Sequence, residues 1–458
     1  MDEQERAERV AKGRRQAEWL ASRDVAAVAV TFVDTSGICR VKGVPVSVFD
    51  RIAGWGVGAT PVFDAFLLDD SIAATSAASP SGDLRLLPDL NRVVPLSAQP
   101  GWAWAPADRW TQDGNPHPGC SRLLASRMVE RLAEAGLSAK AAFEIEWVLY
   151  RGPAESDPDP YGIGPAYGMN RVVEVSDFAV ELLRTLSAQG VAVQQFHPEY
   201  SPGQLELSVA PESPVAAADT AVLVRATIRA VAARRGLAVS FSPSVQAGGV
   251  GNGGHVHMSL ARGGQPLFSG GDGRFGLTAD AEAFMAGIVG RLPALLAVGA
   301  PSVASYLRLQ PSHWAGAYAC WGLENREAAV RLVTGSVGEQ SRAANFEVKC
   351  VDQSANPYLL MAALLAGGLA GLEQRAALPD PVHGDPASLS DEQRTARNIV
   401  RLPERLADSV DAFAADKVLT DAFGPELTET LLAVRHAEID RFADATPEEI
   451  IAATRWRH

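Results

Sequence analysis

Apolar and polar residues alternate most clearly over residues 141–150. Phe143, Ile145 and Trp147 share one face of an expected strand, and Glu144 and Glu146 share the other. The apolar face can pack, while the polar face sets two carboxylates about 7 Å apart. Strand patterns recur over residues 25–33 and 38–46, joined as a hairpin by the turn Asp34-Thr35-Ser36-Gly37. Further strands are expected within 191–206, around Val239, and over 255–260, 327–333 and 345–351. Helical spacing predicts a surface helix over 3–22, anchored by Val10, Trp19 and Leu20. A second helix covers 121–135, with Leu123, Leu124, Met128 and Leu132 on one side. Others are expected over 177–189, 216–235 and 278–300. The longest apolar run, 359–372, falls short of the roughly 18 residues a membrane span needs, so it reads as a buried helix. Asn356-Pro357 caps it, and the chain beyond is mostly helical.

The breaker-rich stretch 112–119 marks a boundary. It divides the chain into an N-terminal helix (1–22), a small β-rich domain (23–111) and a large domain (112–458). The Gly/Pro/Asp loop 152–169 is long enough to suggest a functional role. With 458 residues, 47% of them hydrophobic, the chain can bury a large core. Its net charge of -13 argues against nucleic-acid binding, which needs a basic surface. Cys39, Cys120, Cys320 and Cys350 are too dispersed for a disulfide framework or a zinc-thiolate site, which suits a reducing cytoplasm. Residues 1–16 lack the apolar core of a signal peptide, and no membrane association is expected.

Chemistry gathers in later segments. Glu199 and Glu206 flank a Pro202-Gly203 turn that lets them converge, although scattered surface glutamates give the same pattern. His255, His257 and Ser259 share one face of a strand behind a glycine-rich loop, against the alternative of two surface imidazoles. Arg308, Arg326 and Arg331 sit beside apolar residues and suit carboxylate or phosphate recognition, or else ordinary surface ion pairs. Glu347 and Lys349 alternate onto one face. Five carboxylates with one imidazole form a hard donor set suited to Mg²⁺ or Mn²⁺. Two cations ringed by arginines match phosphoryl transfer from a nucleotide, and no P-loop or dinucleotide fingerprint offers another phosphate cradle.

Together these segments resemble the glutamine synthetase family from about Thr31 to about Leu372. The motifs are Phe143-Glu144-Ile145-Glu146-Trp147, Pro202-Gly203-Gln204-Leu205-Glu206, Asn252-Gly253-Gly254-His255-Val256-His257-Met258-Ser259, Asn325-Arg326-Glu327-Ala328-Ala329-Val330-Arg331 and Ala355-Asn356-Pro357-Tyr358-Leu359. The resemblance implies an α+β fold, with a β-grasp domain before a catalytic antiparallel half-barrel packed with helices. It implies a homo-oligomer, usually a dodecamer of two stacked hexameric rings, with sites between neighbours. By the same resemblance, Glu146, Glu199 and Glu206 hold one divalent cation, and Glu144, His255 and Glu347 hold a second. Asn252, Gly253 and Arg308 hold glutamate, and Arg326 steadies the transferring phosphate of ATP. His257, Ser259 and Arg331 contact the nucleotide. Asp34, from the adjacent subunit, receives the amine.

Four departures shape the expectation. Trp314 stands where the family's flap carries a glutamate, replacing part of an ammonium trap with an apolar wall. The segment Phe63-Asp64-Ala65-Phe66 replaces the family's Asp-Gly-Ser-Ser. Lys349 replaces an arginine at the glutamate α-carboxylate and lacks its bidentate fork. No tyrosine follows Tyr358, so tyrosine nucleotidylation has no acceptor there. The pattern is similar to the γ-glutamyl-amine ligase branch, acting through a γ-glutamyl phosphate on a primary amine. A small monoamine such as ethanolamine is favoured over a polyamine, whose second charge needs a further acidic patch. An ammonia-using glutamine synthetase is the alternative. A catalytically silent relative or a phosphotransferase of the guanidino-kinase fold are rivals from other classes.

Overall fold

The computed structural model of the chain describes residues 1–458 apart from 77, 78, 80, 155 and 156. The first three fall in the expected β-rich region and the last two in the loop 152–169, so both readings lie outside the described residues at those positions. The N-terminal sheet runs in the order Cys39–Pro45, Ala27–Val33, Trp102–Thr111, Leu84–Pro88, Val57–Ala59. The first hairpin forms as expected, with Val33 opposite Cys39, and Ala27–Val33 also lies parallel to Trp102–Thr111. Helix Glu3–Ala21 starts at Asp2, whose carboxylate accepts from Glu5 N at 2.8 Å. It crosses helix Phe49–Trp55 so closely that a Cβ on Gly13 would stand 2.4 Å from Ala53 Cβ. Leu20 is buried, but Trp19 is exposed with Arg23 stacked over its ring, so it anchors nothing.

The second sheet is organised by the 15-residue strand Leu137–Arg151. Its residues 137–143 pair with Val256–Arg262, and its residues 144–148 pair with Gln204–Val209. The strand therefore changes partner between Phe143 and Glu144, where Val256 and Ser208 face it in turn. One wing continues through Asn345–Val348, Val330–Val333 and Trp321–Leu323, the other through Val193–Pro198. All these neighbours are antiparallel except Trp321–Leu323 and Val330–Val333. Phe143, Ile145, Trp147, Val256, Met258, Phe346 and Val348 point into one core, which leaves the charged residues between them on the opposite face.

Helices cover the core side. Pro357–Gln374 is buried along most of its length, and Asn356 Oδ1 caps it by accepting from Tyr358 N and Leu359 N. The amide of the same asparagine donates to Val33 O at 3.1 Å and Asp34 O at 3.0 Å, which pins the tip of the first hairpin. Arg435 Nη2 adds a bond to Thr35 O at 2.9 Å. The single helix expected over 278–300 is two helices, Ala279–Val289 and Leu292–Gly299, bent by 69°. Pro293 has no N–H to bond Val289 O, so the turn between them cannot continue. Among the described residues no single helix is long and apolar enough to cross a membrane.

Candidate active site

A cavity of about 570 Å³ opens on the charged face of the second sheet. Glu144, Glu146, Glu199, Glu206, His255 and Glu347 all line it, as do Arg308, Arg326, Arg331, Lys349 and Trp314. Strand register explains the convergence. Glu206 lies opposite both Glu146 and His197, and Glu347 opposite both His257 and Arg331.

The acidic groups form two clusters. In one, His197 Nε2 lies 3.3 Å from Glu206 Oε1, and its Nδ1 lies 3.5 Å from Glu199 Oε1. Tyr167 donates to Glu199 Oε2 at 3.0 Å. In the other, Glu144 is held by two imidazoles: His255 Nδ1 at 2.8 Å and His257 Nε2 at 3.1 Å. His255 Nδ1 is also 3.2 Å from Glu347 Oε1. Glu146 stands between the clusters. Its Oε2 accepts from Gly253 N at 2.8 Å and Gln204 Nε2 at 3.0 Å, and its Oε1 faces His255 Nε2 at 3.9 Å.

The two clusters differ electrostatically. Burial pushes Glu206 up to about 8, despite the bond to His197, and the neighbouring carboxylates add to the rise. Burial and Glu146 raise Glu199 too. The bond to Glu206 lifts His197 to about 9. Burial also penalises Glu347, yet Lys349, His257 and His255 hold it down at about 2. Burial notwithstanding, the hydrogen bonds of His255 and His257 keep Glu144 well below the usual carboxylate range. The Glu199–Glu206 side thus carries more negative charge than its surroundings neutralise, the environment in which a divalent cation binds. In each cluster three residues offer ligand atoms within 4.8 Å of one another: His197, Glu199 and Glu206, or Glu144, His257 and Glu347. Carboxylate oxygens with one imidazole suit Mg²⁺ or Mn²⁺.

The cationic rim is partly unspent. Arg308 Nη2 reaches Lys349 O at 3.1 Å and His255 Nε2 at 3.3 Å, while its Nη1 is buried with no partner. Arg331 bridges Glu347 and Glu324, and Lys349 Nζ is 3.1 Å from Glu347 Oε1. Arg326 makes no ion pair among the described residues. A Cβ on Gly253 would stand 2.6 Å from His255 Nε2 and 2.8 Å from Arg308 Nη2, so any side chain there would push these two site groups aside. The Asn252 side chain turns inward, donating to Ser242 O at 2.9 Å.

Trp314 lines the cavity mouth, is 42% exposed and sits at φ 56°. Its ring lies 5.2 Å from that of Tyr200, and its backbone N–H donates to Glu327 Oε1 at 3.0 Å. Five expected site residues do not line this cavity: Gly253 and His257 reach it through their bonds to Glu146 and Glu144, Asn252 is turned inward, and Ser259 and Asp34 stand apart. Ser259 lies two residues beyond His257, opposite Lys140. Asp34 is buried in the first hairpin, where Arg40 Nε meets its Oδ2 at 2.7 Å and burial pushes it up to about 7. Asp64, in the altered segment, is buried against Arg109. Sequence reasoning missed His197, Tyr167 and Gln204. His197 carried a signal, since it alternates with Glu199 as Glu144 does with Glu146.

Comparison with known proteins gives a consistent result. Residues 118–452 match the family model described as the glutamine synthetase catalytic domain. The chain is 54% identical over 442 residues to the gamma-glutamylpolyamine synthetase GlnA3 of Streptomyces coelicolor, covering 96% of this chain and 95% of that protein. It is 30% identical over 338 residues to a glutamine synthetase of Thermotoga maritima, covering 73% and 76%. A crystal structure of a novel glutamine synthase homolog superposes with a TM-score of 0.85 at 34% identity, covering 95% and 99%. A GmaS/ADP complex gives 0.81 at 27% identity, covering 94% and 96%.

Proposed function

This chain belongs to the glutamine synthetase family and is a carbon–nitrogen ligase, and from that premise we propose that it joins the γ-carboxyl of L-glutamate to an organic primary amine. The family uses ATP and divalent cations. The observation that carries the choice of amine is the indole of Trp314 at the cavity mouth, tilted against the ring of Tyr200. An indole–phenol wall favours an alkyl chain over ammonium and can face a cation through its ring. The amine we favour is a polyamine, in place of the ethanolamine-sized substrate expected from sequence. The similarity to a gamma-glutamylpolyamine synthetase supports this choice, as does Asp385, which lies on the flap side and accepts from Ser312 Oγ at 2.6 Å.

A carboxylate is a poor electrophile. In our reading the γ-phosphoryl group of ATP passes to the glutamate γ-carboxylate and ADP departs. The amine nitrogen then attacks the acyl carbon, phosphate leaves, and the nitrogen gives up a proton. Arg308, with its unpartnered Nη1, and the Asn252-Gly253 backbone are assigned to the glutamate, beside Lys349. Arg326 is assigned to the transferring phosphate, and His257, Ser259 and Arg331 to the nucleotide. Glu146, Glu199, Glu206 and His197 would hold one cation, and Glu144, His255 and Glu347 a second, which we take as Mg²⁺ or Mn²⁺. Bound there, the cations neutralise the crowded phosphate oxygens. Asp34 is assigned to a neighbouring subunit's site in a two-ring assembly, and four free thiols suit a cytoplasmic setting.

The test is phosphate release with glutamate, ATP and a panel of putrescine, spermidine, ethanolamine and ammonium, with product masses measured. A γ-glutamyl polyamine mass is expected. Ammonium with the highest kcat/KM would overturn the reading. In W314A the amine KM is expected to rise about tenfold, the scale of one lost apolar wall, with the KM for ATP unchanged.

A further inference from the structure

The flap lacks the acid its relatives carry, but an acid stands beside it. Glu327 follows Arg326, which lines the cavity, and its Oε1 accepts from the N–H of Trp314, which lines the mouth. Lys349 and His313, two further lining residues, are close enough to act on the Glu327 charge, as is Asp385. Asn325 fixes the segment: its Oδ1 accepts from Glu327 N at 3.0 Å, and its amide donates to Val382 O and Gly384 O. Oε2 of Glu327 accepts no hydrogen bond among the described residues. The carboxylate therefore spends one oxygen on the flap and keeps the other. Four of the five cavity-lining carboxylates belong to the two acidic clusters and Glu146 stands between them, so Glu327, which borders the cavity through Arg326 and Trp314 rather than lining it, is a separate negative group on the flap side.

The structure assigns to Glu327 the role of amine-positioning residue: its free oxygen pairs with the ammonium group of the incoming amine, while Trp314 and Tyr200 wall the carbon chain. Resting on the amine-ligase reading, this moves the flap-side anion from the flap to the neighbouring Asn325-Arg326-Glu327 segment. One side chain then both locks Trp314 in its left-handed backbone and sets the charge preference of the mouth. A bare latch would need only a hydrogen-bond acceptor. Glutamine supplies one without the charge, so E327Q separates the two roles.

Full-length wild type and E327Q are compared with glutamate and ATP, using putrescine as a charged amine and hydroxylamine as a nucleophile that is neutral at assay pH. E327Q is expected to lose about ten- to hundredfold in kcat/KM for putrescine, the scale of one hydrogen bond to a charged group. The loss with hydroxylamine should be far smaller, and the KM values for ATP and glutamate should hold. Equal losses with both nucleophiles, or no loss with putrescine, would overturn the assignment. A wild type that uses no amine would instead sink the ligase reading, and this inference with it. Thermal melting of E327Q checks its folding, and E327D is expected to restore part of the putrescine rate.

Discussion

At the scale of single residues, the acidic cluster around Glu206 is where charge most exceeds its surroundings. Glu206 and Glu199 are both pushed up by burial, and among the described residues His197 is the only imidazole against them. A bound cation should therefore stabilise the fold. A ligand at a hundredfold excess over its Kd adds about 2.7 kcal/mol. Melting with saturating Mg²⁺ or Mn²⁺ and with a chelator should show this shift in the wild type, and E206Q should lose most of it. An E206Q shift equal to that of the wild type would place the ion elsewhere. Period-two alternation made Glu144 with Glu146, and Glu347 with Lys349, legible on their strands, whereas Glu199 and His255 stand just outside strands and the six were grouped through the family resemblance. Less legible was how they are shared. That Glu146 is occupied by Gly253 N and Gln204, and that His257 joins His255 at Glu144, depends on cross-strand register. Register between strands over a hundred residues apart is not written in either strand alone.

At the scale of elements, the long core helix Pro357–Gln374 was readable from its apolar run and its Asn-Pro start, whereas its partner was misread as one helix. The reason is Pro293, whose effect falls four residues upstream of itself, on Val289. What the sequence hides further is how closely these two helices meet. A Cβ on Gly287 would stand 2.2 Å from Gly367 O, and one on Gly371 would stand 2.1 Å from Ala283 O. Two backbones in contact leave no side chain that can yield. G287A is therefore expected to cost about 1–3 kcal/mol, the range for overpacked cores, read as a lower urea midpoint with an unchanged slope. Full wild-type stability in G287A would show that the helices can part freely.

At the scale of the whole molecule, Arg122 stitches the N-terminal sheet to the helical layer. Its guanidinium meets Asp108 at 2.8 Å, Asp89 at 2.6 Å and Asp219 at 2.9 Å, and Tyr358 of the core helix donates to Asp219 at 2.7 Å. Burial opposes the charge on Arg122, and Asp219 and Asp108 more than restore it. R122M would strand buried carboxylates, at a cost of about 3–5 kcal/mol measured by urea unfolding. A loss below 1 kcal/mol would show that Arg92, 3.5 Å from Asp219, takes over. Nothing local in the sequence announces this hub, because its five members come from five separate segments. Asn356 joins the same two layers from the other side, one end of its amide on the core helix and the other on the Val33-Asp34 carbonyls. The hairpin tip is thus geared to the helix like a pawl to a ratchet. Asp34 cannot swing, rise or retract unless the helix start moves with it.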